Sequence, residues 1–322
     1  GTVGLLYAAL RLLAAGHGSL PGVGSASSPR DWLVTREGSL LAAAAALTFA
    51  FSSLLWSQAV IAEVYALLTL FAALLLWLLL RWRAGGSDSF LWLAGFTLGL
   101  GLGNHLTLAL AAPGFLVLLW PSRNRWLRPR VLVPALVLFL AGLAVYAYLP
   151  LAARGDPPVN WGNPVTWDRF LWVVTARQYQ QFALGLDSAA IPGRLASWAW
   201  LLGDQFGWWG LALALAGGAW WYRRDRAFAL CGLGWMVSVV IYAFFYDTGD
   251  SEAYLLPALL ILATWWAEGA RGLLHLTADW RPAWTRVALA LLLLLPLFSL
   301  GLHWRGADPV PVTNRATVYF DG

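Results

Sequence analysis

The sequence predicts an all-α, polytopic transmembrane helical bundle, and three observations lead to this fold class. Hydrophobic residues make up 60% of the 322 residues and charged residues only 11%, whereas soluble proteins average about 25% charged residues. Apolar residues form long runs, most of them of the length that crosses a bilayer core of roughly 30 Å. All 21 basic residues are arginine and lie in short clusters between those runs, as the positive-inside rule describes. This clustering predicts contact with membrane lipids and argues against nucleic acid as a partner.

Nine apolar runs give the order of the spans. They lie at residues 2–15, 39–56, 59–81, 90–120, 131–151, 206–222, 227–246, 253–267 and 284–302. The run at 90–120 has 31 residues, about 46 Å as one helix, which is long for a single span. It contains Gly103 and Asn104, and a Gly-Asn pair is a typical helix stop. We therefore predict a break at Asn104 and His105, and about ten membrane segments in total.

The distribution of arginines favours this break. With it, alternating spans place 15 of the 21 arginines on one side of the membrane, and the other six are Arg154, Arg169, Arg177, Arg194, Arg305 and Arg315. Without it, the arginines divide 11 to 10. The positive-inside rule therefore assigns the side with 15 arginines to the cytoplasm.

One long loop, at residues 152–205, is predicted on the outer side. Its part at 166–182 begins with Thr166, a good N-cap residue, and spaces apolar residues on one helical face, which predicts a helix lying in the membrane interface. A second interfacial helix is predicted after Pro192, with Trp198 and Trp200 as anchors.

The remaining segments complete the predicted domain division. Residues 1–303 form the transmembrane domain and 304–322 an outer C-terminal tail. The connector at 16–38 is rich in Gly, Ser and Pro and is interpreted as a flexible cytoplasmic loop. Because residue 1 falls in an apolar run and Met236 is the only methionine, we expect further sequence before residue 1.

Polar residues gather at the predicted outer ends of the helices. Glu63 lies at membrane depth, where an ionisable group is costly and indicates a functional site, although the helix dipole alone also favours an acidic residue in a first turn. His105 follows the helix stop and could equally serve in a turn. Asp247, Asp250 and Glu252 place three carboxylates in six residues, which repel unless an arginine, a substrate amine or a divalent metal lies nearby. No His/Cys metal motif, Ser-His-Asp order or phosphate-binding glycine loop has usable spacing.

The outer loop offers two further candidates. Arg154 and Asp156 flank Gly155 before two prolines, which fits either a binding loop or an ordinary turn with a local ion pair. Arg177 on the interfacial helix could contact a substrate phosphate or only lipid phosphate.

Several strings together resemble a large bacterial family of multi-spanning membrane proteins of unknown function. That family is related to the animal endoplasmic-reticulum O-mannosyltransferase that modifies plexin-type domains. The strings are Trp56-Ser-Gln-Ala-Val-Ile-Ala-Glu63-Val-Tyr65, Gly99-Leu-Gly-Leu-Gly-Asn104-His105, Tyr148-Leu-Pro-Leu-Ala-Ala-Arg154-Gly-Asp156-Pro-Pro-Val-Asn160-Trp161-Gly162, Arg177-Gln178-Tyr179 and Gly249-Asp250-Ser-Glu252-Ala-Tyr254.

The resemblance implies a GT-C-like fold and a location in the bacterial cytoplasmic (inner) membrane. It also implies transfer of a sugar, hexosyl or mannosyl, from a polyprenyl-phosphate carrier to a hydroxyl of a protein or lipid acceptor outside the cytoplasm. No cofactor is implied beyond this lipid-linked donor and a possible divalent metal. The family pattern begins with an outer loop that carries an acidic motif and a His-Pro-Pro-Gly-Tyr-Pro-like string. Neither occurs here, so the general base is expected upstream of residue 1.

The predicted site is an outward-facing pocket with no assigned catalytic residue. Arg154 and Arg177 are expected to contact phosphate, since guanidinium can grip a phosphate with two hydrogen bonds. The predicted substrate-binding residues are Glu63, Tyr65, Asn104, His105, Arg154, Asp156, Asn160, Trp161, Arg177, Gln178, Tyr179, Asp250, Glu252 and Tyr254. Two alternatives remain at this point: a transporter or flippase for a lipid-linked or anionic solute, for which broken helices are typical, and a structural membrane subunit without a cavity.

Overall fold

The computed structural model describes residues 1–15, 29–280 and 282–304, and within these ranges it contains helices and no strand. The α-helices, in chain order, are α1 Thr2–Ala15, α2 Pro29–Ala50, α3 Ser53–Ala59, α4 Tyr65–Arg83, α5 Ser89–Asn104, α6 Ala112–Leu119, α7 Arg123–Trp126, α8 Pro129–Leu143, α9 Tyr148–Ala153, α10 Trp167–Val174, α11 Ile191–Arg224, α12 Arg226–Phe245, α13 Leu256–Trp280 and α14 Pro282–His303. The all-α fold class is confirmed.

Six helical stretches are long and apolar enough to cross a membrane. They are Tyr65–Arg83, Leu106–Trp126, Pro129–Ala153, Arg226–Phe245, Ser251–Ala278 and Ala283–His303. The pair Glu37–Ala50 and Ser53–Ala59, bent by 63°, gives a seventh if it is one span, and Thr2–Ala14 is a shorter apolar helix. The chain is therefore a polytopic helical membrane protein, and the count of about ten membrane segments stays a prediction.

The predicted break in the longest apolar run is confirmed. Helix α5 ends at Asn104, and His105 is extended, with φ −157° and ψ 126°. A 3₁₀ segment at Leu106–Ala111 follows, and α6 then packs against α12, where Gly114 lies against the backbone at Cys231. Arg125, after α6, pairs with Asp88, before α5, so the chain returns after His105 to the end where α5 begins, as the arginine distribution favours.

Ion pairs concentrate at one end of the bundle, which we call the arginine end. Arg83 at the end of α4 forms a bidentate pair with Asp225, at 2.6 and 2.8 Å. Glu268 of α13 pairs with both Arg224 and Arg271. The arginine end collects cations that the positive-inside rule predicts on the cytoplasmic side.

The opposite end, which we call the tyrosine end, holds the first residue of α4. Tyr65 lies 18 residues before Arg83, about 27 Å along a helix. Around Tyr65 lie His105, Asp250 and Tyr254, which come from the α5 break and the segment before α13.

Small residues let two helix pairs approach closely, as is common in membrane bundles. In the pair α11 and α13, a Cβ at Gly217 would lie 1.9 Å from the carbonyl oxygen of Trp265. In the pair α5 and α8, a Cβ at Gly99 would lie 2.1 Å from the carbonyl oxygen of Phe139. Both glycines are therefore required by contact between backbones.

The two predicted interfacial helices are only partly present. Helix α10 begins after Thr166, whose hydroxyl accepts from the backbone N–H of Arg169, but it ends at Val174, and a separate 3₁₀ segment covers Arg177–Phe182. The prediction of a second helix after Pro192 is confirmed: α11, Ile191–Arg224, consists of two helices that meet at a kink at Gly207 (φ 68°, ψ 156°), next to the predicted boundary between the loop and the following span. Trp198 is 7% exposed and packs edge-on against Phe244, so it is no interfacial anchor, whereas Trp200 is 71% exposed.

The structure differs from the prediction in the second part of the connector at 16–38. Residues 29–38 belong to α2, so the loop prediction is wrong there, while 16–28 lie outside the described residues. The tail predicted at 304–322 also lies outside them, apart from Trp304. The division into a transmembrane domain and a tail stays a prediction.

Candidate functional site

The first contact of the candidate site joins the start of α4 to the loop before α13. The phenol of Tyr65 donates a hydrogen bond of 2.7 Å to Oδ2 of Asp250. Tyr65 is 5% exposed, whereas Asp250 lies at the surface. One face of the carboxylate is therefore fixed by a buried donor and the other is open to a ligand.

His105 supplies the second side of the site. Its Nδ1 accepts from the backbone N–H of Thr107 at 3.3 Å and lies 2.7 Å from the Thr107 hydroxyl. Because Nδ1 accepts a backbone N–H, the proton of the neutral ring lies on Nε2. Burial lowers the pKa of His105 from 6.5 to about 4, and the nearby carboxylate of Asp250 opposes this shift only in part. The ring is therefore neutral at pH 7.

The lowered pKa of His105 predicts a pH-dependent stability. Below pH 6.5 the unfolded state binds a proton that the folded state takes up only near pH 4, so the free energy of unfolding falls as the pH drops through this window. The loss reaches about 3 kcal/mol. We expect unfolding in detergent to show this decrease between pH 7.5 and 4.5, and His105→Gln to flatten it. A variant with the same pH slope as the wild type would contradict the assignment.

Aromatic rings pack around the two polar groups. The ring of Tyr254 lies 5.5 Å from that of Tyr65, 5.4 Å from that of His105 and 5.3 Å from that of Tyr246. Tyr242 lies 5.2 Å from Tyr246 and 5.8 Å from Tyr254. The four tyrosines form one packed aromatic cluster, and Tyr65 joins it to Asp250.

Arg194 fixes the loop that carries Asp250. Its Nη1 donates to the carbonyl oxygen of Tyr246 at 3.0 Å and to the hydroxyl of Ser251 at 2.8 Å. The backbone N–H of Asp247 donates to the carbonyl oxygen of Phe182 at 3.0 Å. These hydrogen bonds connect three segments at the tyrosine end: the end of α12, the 3₁₀ segment before α13 and the loop before α11.

Sequence reasoning missed Arg194, Tyr242 and Tyr246. The two tyrosines are four residues apart, one helical turn, on the helix that ends beside Asp250, and this spacing was a usable signal. Arg194 follows Pro192 in a segment interpreted as interfacial, and nothing local indicates that it reaches a residue 57 positions away.

Other predicted residues border the Tyr65–Asp250 contact. Asn104 donates from Nδ2 to the carbonyl oxygen of Val64 at 3.2 Å, which ties the α5 break to the start of α4. Glu63, two residues before Tyr65, is exposed, and so is Tyr179. Glu252 is also exposed.

The Arg154 loop is not joined to these residues. Asn160 donates from Nδ2 to Asn163 Oδ1 at 3.2 Å and to the carbonyl oxygen of Ala153 at 3.3 Å, so its bonds are local. Arg154, Asp156 and Trp161 are exposed, and within the described ranges the two charged side chains form no ion pair, with each other or with the tyrosine end. Arg177, the neighbour of Gln178, is also exposed and forms no ion pair with a described carboxylate.

The structure therefore brings together part of the predicted pocket. Members with direct contacts at the tyrosine end are Tyr65, Asn104, His105, Asp250 and Tyr254. Arg154, Asp156, Asn160 and Trp161 lie on a separate loop. Among the described residues, no group of three or more His, Cys, Asp or Glu side chains could hold a metal ion.

A second polar cluster, also missed from the sequence, lies where α2 bends into α3. Asp204 accepts from the hydroxyl of Ser53 and faces Nε2 of His303 at 3.4 Å. Nδ1 of His303 lies 2.7 Å from the carbonyl oxygen of Phe51, and Gln205 accepts from the backbone N–H of Leu54 at 3.0 Å. These contacts satisfy backbone groups that the bend would otherwise leave unpaired.

The first part of the chain matches a known family model. Residues 2–127 match the model described as Protein O-mannosyl-transferase TMEM260 N-terminal domain. This part of the chain is therefore similar to that domain. The match includes Glu63, Tyr65, Asn104 and His105, whereas Arg154, Arg177 and Asp250 lie beyond it. Neither a curated protein nor a solved structure matches the chain.

Proposed function

We propose that this protein is a membrane glycosyltransferase of the GT-C type, which transfers a sugar from a polyprenyl-phosphate carrier to a hydroxyl of a protein or lipid acceptor. The observation that carries the proposal is the similarity of residues 2–127 to the N-terminal domain of an O-mannosyltransferase. The tyrosine end would be its extracytoplasmic face, in a bacterial cytoplasmic membrane, because the arginines collect at the opposite end.

In this reaction the acceptor oxygen forms a bond to the anomeric carbon while the bond from that carbon to the phosphate oxygen breaks. The acceptor proton passes to a general base, and the electrons of the broken bond leave with the polyprenyl phosphate. A donor of this kind needs cations near the phosphate, hydrogen-bonding groups near the sugar and an apolar path for the lipid tail. The general base remains unassigned.

The tyrosine end supplies groups suited to the sugar or the acceptor. Tyr65 donates to one oxygen of the Asp250 carboxylate, and the other oxygen is open to a ligand. His105 carries its proton on Nε2. Glu63 and Glu252 offer exposed carboxylates beside them, and the four tyrosines give a rigid base. Carboxylates of this kind bind sugar hydroxyls through charge-assisted hydrogen bonds.

The Arg154 loop and the segment at Arg177–Phe182 supply groups suited to the phosphate. Arg154 and Arg177 are exposed, and neither guanidinium is engaged by a carboxylate of the described residues. Trp161 and Tyr179 are 61% and 44% exposed and could stack on a sugar face.

An apolar groove near the Arg154 loop suits the lipid tail. It has a volume of about 430 Å³ and lies between the end of α8 and the start of α10. Leu143, Tyr146, Trp167 and Phe170 are among its lining residues. Its position beside the loop that carries Arg154 would let a lipid tail and its phosphate bind together.

A transporter or flippase is the second candidate, favoured by three interruptions of helices: the α2 bend, the α5 break and the kink at Gly207. In transporters such interruptions lie near the midplane of the bilayer, around the substrate. The α5 break lies beside Tyr65, the first residue of α4. A position at a helix terminus fits a surface site better than a midplane site.

The two candidates are separated by an assay in proteoliposomes. The protein, expressed from its complete coding sequence, is given radiolabelled mannosyl polyprenyl phosphate with a hydroxyl acceptor. Covalent transfer of label, or hydrolysis of the donor, supports the enzyme. Donor that only crosses the bilayer unchanged would overturn the proposal in favour of the transporter.

Replacing Arg154 or Arg177 tests the phosphate contact. We expect Arg154→Gln and Arg177→Gln each to raise the KM for the donor about tenfold or more, since a charge-assisted hydrogen bond contributes about 1.5–3 kcal/mol. Arg169→Gln, an exposed arginine of α10, is the matched control and should leave the KM unchanged. Equal effects of all three substitutions would indicate only a general surface potential.

A further inference from the structure

A second cavity lies at the arginine end, far from the groups proposed for catalysis. Its volume is about 600 Å³, within the range of sites that bind small molecules. It lies where the ends of α1, α4 and α11 meet the start of α12. Its lining includes Leu12, Leu13, Leu80, Arg83, Arg224 and Arg226.

The charged part of the lining is cationic. Arg83, Arg224 and Arg226 line the cavity together with one carboxylate, Asp225, which pairs with Arg83. Glu268, which pairs with Arg224, lies outside this lining and is shared with Arg271.

Donor groups of the arginines remain available for a ligand. Within the described ranges, Arg224 donates a hydrogen bond only through Nη1, to Glu268. Arg226 is exposed, packs over the ring of Tyr222 at 5.4 Å and forms no ion pair with a described carboxylate. Each guanidinium carries five N–H donors, in a fork that matches phosphate oxygens.

The other part of the lining is apolar, and leucines of α1 and α4 provide it. Leu13 and Leu80 are buried, whereas Leu12 is partly exposed and Ala84 is exposed. A water-soluble anion would leave Leu12 and Ala84 in contact with water, whereas the upper part of an acyl chain would cover them. The geometry points to a binding site for one anionic phospholipid, with its phosphate between Arg224 and Arg226 and its acyl chains along Leu12 and Ala84. This inference is independent of the proposed transferase activity.

Native mass spectrometry of the purified protein, titrated with phosphatidylglycerol in detergent, tests the site. We expect one saturable phosphatidylglycerol molecule and an apparent Kd about fivefold higher in Arg226→Gln, since one cation near the headgroup contributes about 1 kcal/mol. Arg223→Gln is the matched control, because Arg223 is the exposed neighbour of Arg224 and does not line the cavity. Its Kd should equal that of the wild type.

Three results would overturn the assignment. Equal weakening in Arg223→Gln and Arg226→Gln would show a general surface potential in place of a site. Equal binding of phosphatidylcholine would remove the preference for an anionic lipid. Displacement of the lipid by millimolar inorganic phosphate, with saturable binding of phosphate alone, would identify a soluble anion as the ligand. Because Arg226 is exposed, its substitution should not prevent folding, which the unfolding temperature checks.

Discussion

Asp250→Asn is expected to lower kcat/KM for sugar transfer by about 10- to 100-fold while the protein remains folded. At the tyrosine end, Asp250 is the described carboxylate that accepts a hydrogen bond from a buried tyrosine. The substitution removes the charge of this carboxylate. A hydrogen bond that involves a charged group contributes about 1.5–3 kcal/mol, which corresponds to this range. Steady-state transfer kinetics in proteoliposomes measure the effect.

Asp247→Asn is the matched control for this experiment. Asp247 lies three residues earlier, is exposed, and contributes its backbone N–H rather than its carboxylate to the local structure. Its substitution should change kcat/KM less than about twofold, as expected for a surface change within about 0.5 kcal/mol. Equal losses in both variants would show that Asp250 has no special position.

Tyr65→Phe refines the same prediction, because it keeps the packed ring and removes only the donor to Asp250. We expect a smaller loss than in Asp250→Asn. The double variant should lose less than the product of the two single effects, since both changes act on one contact. Independent effects would mean that Tyr65 does not act through Asp250.

Gly217→Val is expected to lower the free energy of unfolding by about 3 kcal/mol or more, the upper part of the range for overpacking. At this position a Cβ would lie 1.9 Å from the carbonyl oxygen of Trp265 and 2.6 Å from the backbone nitrogen of Gly269. Both are backbone atoms, so α11 and α13 must separate to make room. The amount of protein that stays monodisperse in detergent after heating measures the loss.

Gly301→Val provides the control for the helix pair. A Cβ at Gly301 of α14 meets no atom within 4 Å, so the same substitution should be nearly neutral there. If Gly217→Val were as stable as Gly301→Val, the close approach of α11 and α13 would not be a feature of the folded protein.

The sequence predicted the features that depend on local chemistry. The Gly-Asn pair before His105 indicated a helix stop, and the arginine distribution required the chain to turn back there, so two independent patterns agreed on α5 and α6. Thr166 indicated the start of α10 in the same way. The Gly-Asn pair and Thr166 each lie within one helical turn of the feature that they indicate, whereas the arginine distribution is a property of the whole chain.

Features that depend on contacts between distant segments were not predicted. Gln205, beside the kink at Gly207, binds the start of α3, 151 residues away. Asp204 and His303 are 99 residues apart. Helical periodicity contains no information about such pairs.

In the candidate site, too, the sequence indicated local features and missed contacts between distant segments. The motif order indicated Tyr65, His105 and Asp250, and the structure adds the contacts that join them. It does not join the Arg154 loop to them, because the bonds of Asn160 keep that loop local.

The most direct test is the side of the membrane on which the tyrosine end lies. Cys231 is the only cysteine and is buried, so single cysteines can be placed at the exposed positions of Glu252 and Arg128 without a competing surface thiol. With a membrane-impermeant maleimide on intact spheroplasts, Glu252→Cys should be labelled, and Arg128→Cys only after permeabilisation. Labelling of Arg128→Cys in intact spheroplasts, with Glu252→Cys protected, would place the tyrosine end in the cytoplasm and contradict an extracytoplasmic transferase site.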